Sequence, residues 1–229
     1  MYKKLIKYSF VGILLGFAAL QYAKTTNVIF NSKSELPNDA KSELIEDHFK
    51  YQAIFGNENS SIVIEEFSSL GCYGCKLFNQ NIFPKIKEKF IDKSQVKYII
   101  TELVHGAQDY HASVLLKLAI KKYGNTEVGH DEYLKLRNYL FETQEQWMLS
   151  QNFKEVIIDI GIKYGISKEE FLNALELEDF TKEIVIGHTK RMIDKKIAVT
   201  PIVTINDEQC EDDDKIEQMI EENIKKNLG

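Results

Sequence analysis

Residues 110–196 carry no strand signal, yet strand signals lie on both sides of them. On the N-terminal side, Ile62-Val63-Ile64-Glu65-Glu66-Phe67 is a run rich in β-branched residues. Asn57, Asn59, Ser60 and Ser61 bound it before, and Ser68, Ser69 and Gly71 after, as expected for a buried strand. Val96 to Val104 predicts a second strand. Between them Leu77, Phe78, Ile82, Ile86 and Phe90 recur at helical spacing, with Pro84 expected to kink the helix. A strand, a helix and a strand at this spacing are most simply a parallel unit. On the C-terminal side, Thr200 to Ile205 predicts a third strand, followed by an Asn206-Asp207 turn and a short return containing Cys210. A final helix then has Asp212 to Asp214 at its positive end and Ile216, Met219, Ile220 and Ile224 on one face. A chain that leaves a sheet and re-enters it must fold the intervening part as an excursion. The fold class is therefore α/β, with an inserted all-helical domain.

Inside the excursion about five helices are expected. Tyr110, Val114 and Leu118 form a stripe that stops at Gly124, Tyr133, Leu136 and Leu140 form another, and Ile184, His188 and Met192 form the last. Asn152 with Glu155, and Ser167 with Glu170, have the spacing of capping boxes, and Gly165 sits where a helix end favours a left-handed residue. Ahead of the first strand, residues 24–53 are polar and mixed, and read as a lead-in or stalk.

Residues 1–23 set the expected compartment. Lys3, Lys4 and Lys7 precede an apolar run from Tyr8 to Leu20, too short for a comfortable span of about 20 residues. This is the pattern of an export signal, or of a retained N-terminal anchor. The protein is expected in the periplasm or another extracytoplasmic space, touching membrane only through that segment. With 44% hydrophobic and 28% charged residues, the chain is neither disordered nor a polytopic membrane protein. A net charge of -6, with arginine only at Arg137 and Arg191, makes nucleic acid an unsuitable partner.

Three cysteines cannot build a disulfide scaffold, so their chemistry must be local. Cys72-Tyr73-Gly74-Cys75 follows the first strand and opens the helix, which puts both thiols on one helical face at disulfide distance. Cys72, at the positive helix end, is the better nucleophile of the two. A zinc site would need two more ligands, and only Cys210 and five scattered histidines remain, so no metal is expected. His105, His111 and His188 are read as surface or core residues. Cys210, beside a cluster of acids, is expected to be a sluggish, isolated thiol.

Ala53-Ile54-Phe55-Gly56-Asn57, the segment from Ile62 through the C-x-x-C to Phe90, Gln146-Trp147, and Val199-Thr200-Pro201-Ile202 occur here in an order that resembles the DsbA-like branch of thioredoxin-fold thiol:disulfide oxidoreductases. The resemblance spans residues 54–229. It implies a thioredoxin-like domain from 54–109 and 197–229, with the helical domain of 110–196 inserted. It also implies a catalytic pair Cys72 and Cys75, a cis Pro201 facing that pair, Thr200 offering its backbone to a substrate, and Glu66 as a buried acid that exchanges protons with Cys75. Spacing alone leaves Glu65 or Glu66 equally open as the solvent-facing member of an edge strand, and a trans proline at a strand start is the simpler reading of Pro201.

The sequence departs from the family at Tyr73, Ser69 and Ser61, which bears on redox poise rather than on fold. The implied activity is introduction of disulfides into unfolded or reduced exported proteins, without a cofactor, followed by reoxidation by a membrane or soluble redox partner. An isomerase or reductase, or a surface-exposed binding protein that keeps the fold, are the alternatives.

Overall fold

The computed structural model describes residues 51–228, so the expected export segment and most of the lead-in, residues 1–50, lie outside the described residues. Five strands form one sheet: β1 (Ala53–Gly56), β2 (Val63–Ser68), β3 (Lys97–Glu102), β4 (Ile202–Ile205) and β5 (Glu208–Cys210), in the order β1-β3-β2-β4-β5. β2 and β3 are parallel, with Glu66 beside Ile100 and Ser68 beside Glu102, and the other neighbours are antiparallel. β2 is thus the central strand rather than an edge, and Glu65 and Glu66 are both buried. β1, which pairs with β3, has no counterpart among the expected strands and draws the end of the supposed lead-in into the sheet.

The helix after β2 does not kink at Pro84 but ends before it. Helix α1 (Tyr73–Asn81) closes at Ile82, and Pro84 sits in the first turn of a short α2 (Phe83–Ile86), where its missing N–H costs no helical hydrogen bond. A wider turn over Lys87–Ile91 then leads to β3.

Between β3 and β4 come α3 (Ala107–Tyr123), α4 (Glu127–Glu142), α5 (Gln144–Met148), α6 (Phe153–Lys163), α7 (Lys168–Leu175), α8 (Glu178–Thr181) and α9 (His188–Asp194). This is more helix than the five expected, because short α5 and α8 carry too few turns to show a period. The expected stripes do face inward: Val114, Leu118, Tyr133, Leu136, Leu140, Ile184 and His188 are all buried. Gly124, at φ +75, caps α3 in the left-handed region where a side chain would be strained. Ser167 and Glu170 form the expected capping box. Asn152 and Glu155 do not. The Asn152 N–H is taken by Ser150 Oγ at 3.0 Å, and the Glu155 carboxylate turns outward to Lys168, at 3.0 Å from its Oε2. Helix α10 (Ile216–Leu228) closes the described fold, with Ile216 and Ile220 in the core.

Because side chains alternate along a strand, β2 offers two different faces. Ile64, Glu66 and Ser68 look toward α1 and α4, while Glu65 and Phe67 look toward α9, where Phe67 packs with Leu103 and Ile197 and Glu65 pairs with Arg191.

Candidate active site

β2 delivers the chain to its C-terminal end, where Ser69 to Cys72 form a turn closed by Cys72 N–H donating to Ser69 O at 3.1 Å. Cys72 is the N-cap of α1, its extended backbone (φ -83, ψ 124) placing Sγ where it accepts from the Cys75 N–H at 3.4 Å. A helix start favours negative charge on that sulfur. Cys72 is half-buried, whereas Cys75 has no exposed surface. Cys75 Sγ accepts from the Ser69 N–H at 3.4 Å. Burial above all, then the neighbouring Cys72, push the Cys75 thiol up to about 12, against the opposing pull of hydrogen bonds from Ser69 and Thr200. In this reduced form the two sulfurs are therefore unlike: one reachable, the other buried and holding its proton.

Across the sequence gap, the loop entering β4 faces the pair. The Thr200–Pro201 peptide is cis, and Cys72 Sγ donates to Thr200 O at 3.4 Å. A Cβ placed on Gly74 would come within 3.1 Å of Pro201 Cδ and 3.7 Å of Cys72 Sγ, so this position, the second between the cysteines, touches the proline. Cys72, Cys75, Thr200 and Pro201 thus converge at one end of the sheet. Tyr73 and Val199, their immediate sequence neighbours, are 62% and 64% exposed, which gives the site an apolar rim.

Glu66 lies on β2 below this turn, with both carboxylate oxygens engaged. Tyr98 Oη donates to Oε2 at 2.8 Å, and Arg137 of α4 pairs with Oε1. The same guanidinium donates to Asn79 Oδ1 on α1 at 2.7 Å and to Ser68 Oγ at 3.2 Å, and lies between the rings of Phe83 and Phe141. Burial and the adjacent Glu66 carboxylate push the Tyr98 hydroxyl well above its ordinary value.

The insertion, whose first helix begins at Ala107, three residues ahead of the expected boundary at 110, also holds the turn itself. Asp109, in the first turn of α3, accepts from the Gly71 N–H, from Ser69 Oγ at 3.0 Å and from the His105 N–H at 3.1 Å. Gln144, at the start of α5, donates through Nε2 to Leu70 O at 2.7 Å and to Cys72 O at 3.0 Å. Arg137, Asp109 and Gln144 were not readable as site residues in the sequence. The glutamine that reaches the site is Gln144 rather than the exposed Gln146, and the signal that could have found it is its place three residues before the buried Trp147, one helical turn away.

Cys210 stands apart from this cluster. Its thiol donates to Asp212 O at 3.3 Å and is raised chiefly by burial, with the acids Asp212 and Asp213 contributing less, a reversal of the order expected from composition. His188 is buried with Nδ1 at 2.6 Å from Glu102 O, a core role, and burial holds it well below the ordinary histidine range. Among the described residues no helix is long and apolar enough to cross a membrane, and no group of three or more acids, histidines or cysteines is placed to hold a metal.

Comparison with known proteins agrees with this arrangement. A family model described as Thioredoxin matches residues 49–225. The chain is 28% identical over 210 residues to disulfide bond formation protein D of Bacillus subtilis, covering 85% of this chain and 86% of that protein. It is 27% identical over 158 residues to a Rickettsia typhi protein named for protein-disulfide oxidoreductase activity, covering 69% of this chain and 56% of that one, so it spans about half the length of its Rickettsia relatives. The oxidised crystal structure of BdbD from Bacillus subtilis superposes with a TM-score of 0.63 at 26% identity, over 77% of this chain and 95% of that one. Wolbachia pipientis alpha-DsbA1 shares the fold at 22% identity, with a TM-score of 0.62 over 85% of this chain and 94% of that one. The chain belongs to the thioredoxin family, in the DsbA-like branch of thiol:disulfide oxidoreductases that carries a helical insertion.

Proposed function

We propose that this protein is a dithiol oxidase that introduces disulfides into reduced exported proteins through Cys72 and Cys75. The observation that carries the reading is the contrast between a reachable Cys72 at a helix start, beside Thr200 and cis Pro201, and a buried Cys75 that holds its proton. A substrate thiolate attacks Cys72 of the enzyme disulfide, the Cys72–Cys75 bond breaks, and Cys75 leaves and takes up a proton. A second substrate thiolate then attacks the mixed disulfide and releases Cys72. The substrate loses two electrons and two thiol protons, and the enzyme becomes a dithiol. A Cys75 raised to about 12 is a poor attacker at neutral pH, so it leaves the mixed disulfide for the substrate's second thiol to resolve. The same raised value slows departure of Cys75 in the first attack, so the direction of net exchange is set by the redox potential of the pair.

The Thr200 carbonyl that accepts from Cys72 is the backbone group offered to an incoming chain, and exposed Tyr73, Leu149 and Val199 supply apolar surface for an unfolded substrate. Glu66 is the buried acid that exchanges a proton with Cys75, supplying it as Cys75 leaves the disulfide and taking it back on reoxidation. A Glu66→Gln variant whose Cys72–Cys75 disulfide is reduced by substrate thiols and reoxidised at the wild-type rate would remove it from this role. Reoxidation requires a membrane or soluble redox partner, and residues 1–23, read as an export signal or anchor, support a location outside the cytoplasm.

The test is the redox equilibrium of the pair against glutathione, together with oxidation of a reduced model substrate. A potential near -120 mV is expected of an oxidase, and about -270 mV would point to a reductase instead. Loss of substrate oxidation in Cys72→Ser is required. Unchanged oxidation in that variant would remove Cys72 from the chemistry.

A further inference from the structure

The turn that carries the dithiol is gripped at a single peptide. With Cys72 N–H bonded to Ser69 O, the Leu70–Gly71 peptide is the central unit of a four-residue turn, the unit whose rotation converts one common turn type into another. Its carbonyl, on Leu70, accepts from Gln144 Nε2 at 2.7 Å, and its N–H, on Gly71, donates to Asp109 Oδ1. One peptide is thus held at both ends, by an acceptor from α3 and a donor from α5, and both side chains are buried. Each also holds a neighbouring group: Asp109 Oδ2 accepts from Ser69 Oγ at 3.0 Å, and Gln144 Nε2 donates to Cys72 O at 3.0 Å.

We propose that Asp109 and Gln144 are a clamp on the Leu70–Gly71 peptide, and that through it they are positioning residues for dithiol exchange, an inference that rests on the redox reading above. The groups they position are two backbone N–H donors, Ser69 onto Cys75 Sγ and Cys75 onto Cys72 Sγ, each at 3.4 Å. Both bonds stabilise negative charge on sulfur, so they favour the reduced pair and the thiolates formed during exchange over the disulfide. With the Leu70–Gly71 peptide released, the turn is no longer held in one conformation, and its two ends, which carry these N–H donors, lose their fixed placement. The two residues differ in charge, and this separates positioning from simple electrostatics. Removing the Asp109 charge by itself would make a nearby thiolate easier to form, whereas releasing the clamp makes it harder. Removing the Gln144 amide changes no charge, so positioning is its only route to the sulfurs.

The experiment uses the full chain, fully reduced, with Asp109→Asn and Gln144→Leu measured beside the wild type. The readouts are the rate of Cys72 alkylation by iodoacetamide against pH and the equilibrium with glutathione. Partial loss of the N–H bonds to sulfur predicts alkylation slowed about threefold to tenfold at pH 7 in each variant, with the glutathione equilibrium moved toward the disulfide. Alkylation unchanged in both, with only a lower melting temperature, would reduce the two residues to structural supports and overturn the proposal. So would faster alkylation in Asp109→Asn, or a change confined to one variant. Amide hydrogen exchange in the wild type supplies a reading that does not depend on the variants folding. The Gly71 N–H must be protected, and exchange at the rate of an open loop amide would overturn the clamp. None of these measurements involves a substrate. A protein that fails to oxidise substrates would therefore count against the redox reading while leaving the clamp standing.

Discussion

Replacing Arg137 by Met tests the electrostatics beneath the candidate active site. The guanidinium and the Glu66 carboxylate both have no exposed surface, and the same arginine also bonds Asn79 and Ser68. Methionine fills much of the space between Phe83 and Phe141 but leaves the carboxylate with the Tyr98 hydroxyl alone. Removing one partner of a buried pair typically costs about 3–5 kcal/mol, because the remaining charge must stay unpaired or take up a proton. For a folded unit of this size, that corresponds to a melting temperature lower by about 6–20 °C. Thermal unfolding followed by far-ultraviolet circular dichroism, supported by urea unfolding at fixed pH, measures it. Glu66→Gln combined with Arg137→Met should recover a large part of the loss, since the stranded charge is gone. Arg137→Lys should fall between, because a single amine cannot span Glu66, Ser68 and Asn79 as the planar fork does. A loss below about 1 kcal/mol, the range of an exposed ion pair, or a double variant no better than Arg137→Met alone, would refute the assignment of this pair as the tie between sheet, active-site helix and insertion.

Three further outcomes are expected. Gly71→Ala places a Cβ 2.8 Å from Asp109 Oδ1 and 3.0 Å from Met148 Sδ, so either the turn or Asp109 must shift. A loss of about 1–3 kcal/mol in urea unfolding is expected, with alkylation slowed as in Asp109→Asn. His188 is buried and held below the ordinary histidine range, so the folded state resists its protonation while the unfolded state accepts it near pH 6.5. Stability from this group is full above that pH and falls below it, at up to about 1.4 kcal/mol per pH unit; His188→Gln should flatten that limb of a melting-temperature profile between pH 7 and 5. Cys210 is buried with its thiol raised, so the native reduced protein should show one fast-reacting thiol, and Cys210→Ser should leave the redox equilibrium where it was; a second fast thiol would contradict this assignment.

The parts of the fold carried by local pattern were legible in the sequence. The β-branched run at Ile62–Phe67, the buried stripes of the insertion and the C-x-x-C at a strand-to-helix junction depend on neighbours in the chain, and they appear where they were expected. β1 was not legible, because Ala53-Ile54-Phe55-Gly56 is too short to show alternation and its pairing with β3 is a long-range event. The Asn152 box failed for a related reason: its spacing was right, but Ser150 and Lys168 took the groups it needed. At the site, the cysteines and Pro201 could be named from sequence, while Asp109, Gln144 and Arg137 could not. Each of these three acts through a side chain that crosses from the insertion to the sheet, and single-sequence periodicity carries no record of such crossings.

Those crossings change what the insertion is for. An insertion that only framed a groove for substrate would meet the sheet domain through apolar packing. Here its polar bridges reach the active-site end directly: Asp109 and Gln144 to the turn, Arg137 to β2 and α1, and the His188 ring to the carbonyl of Glu102, which ends β3. Lys117 of α3 adds a buried bridge to Tyr51 O at 3.1 Å, while its bond to Glu183 Oε1 at 2.7 Å lies within the insertion. Buried polar bridges of this kind fix one relative placement far more narrowly than apolar packing does, because a small slip leaves a charge or an amide unsatisfied. Substitutions in the insertion should therefore divide by the bonds they break. Those that cut a bridge to the turn should move the chemistry of the thiols, while a substitution at exposed Leu149, which makes no such bridge, should leave alkylation of Cys72 untouched.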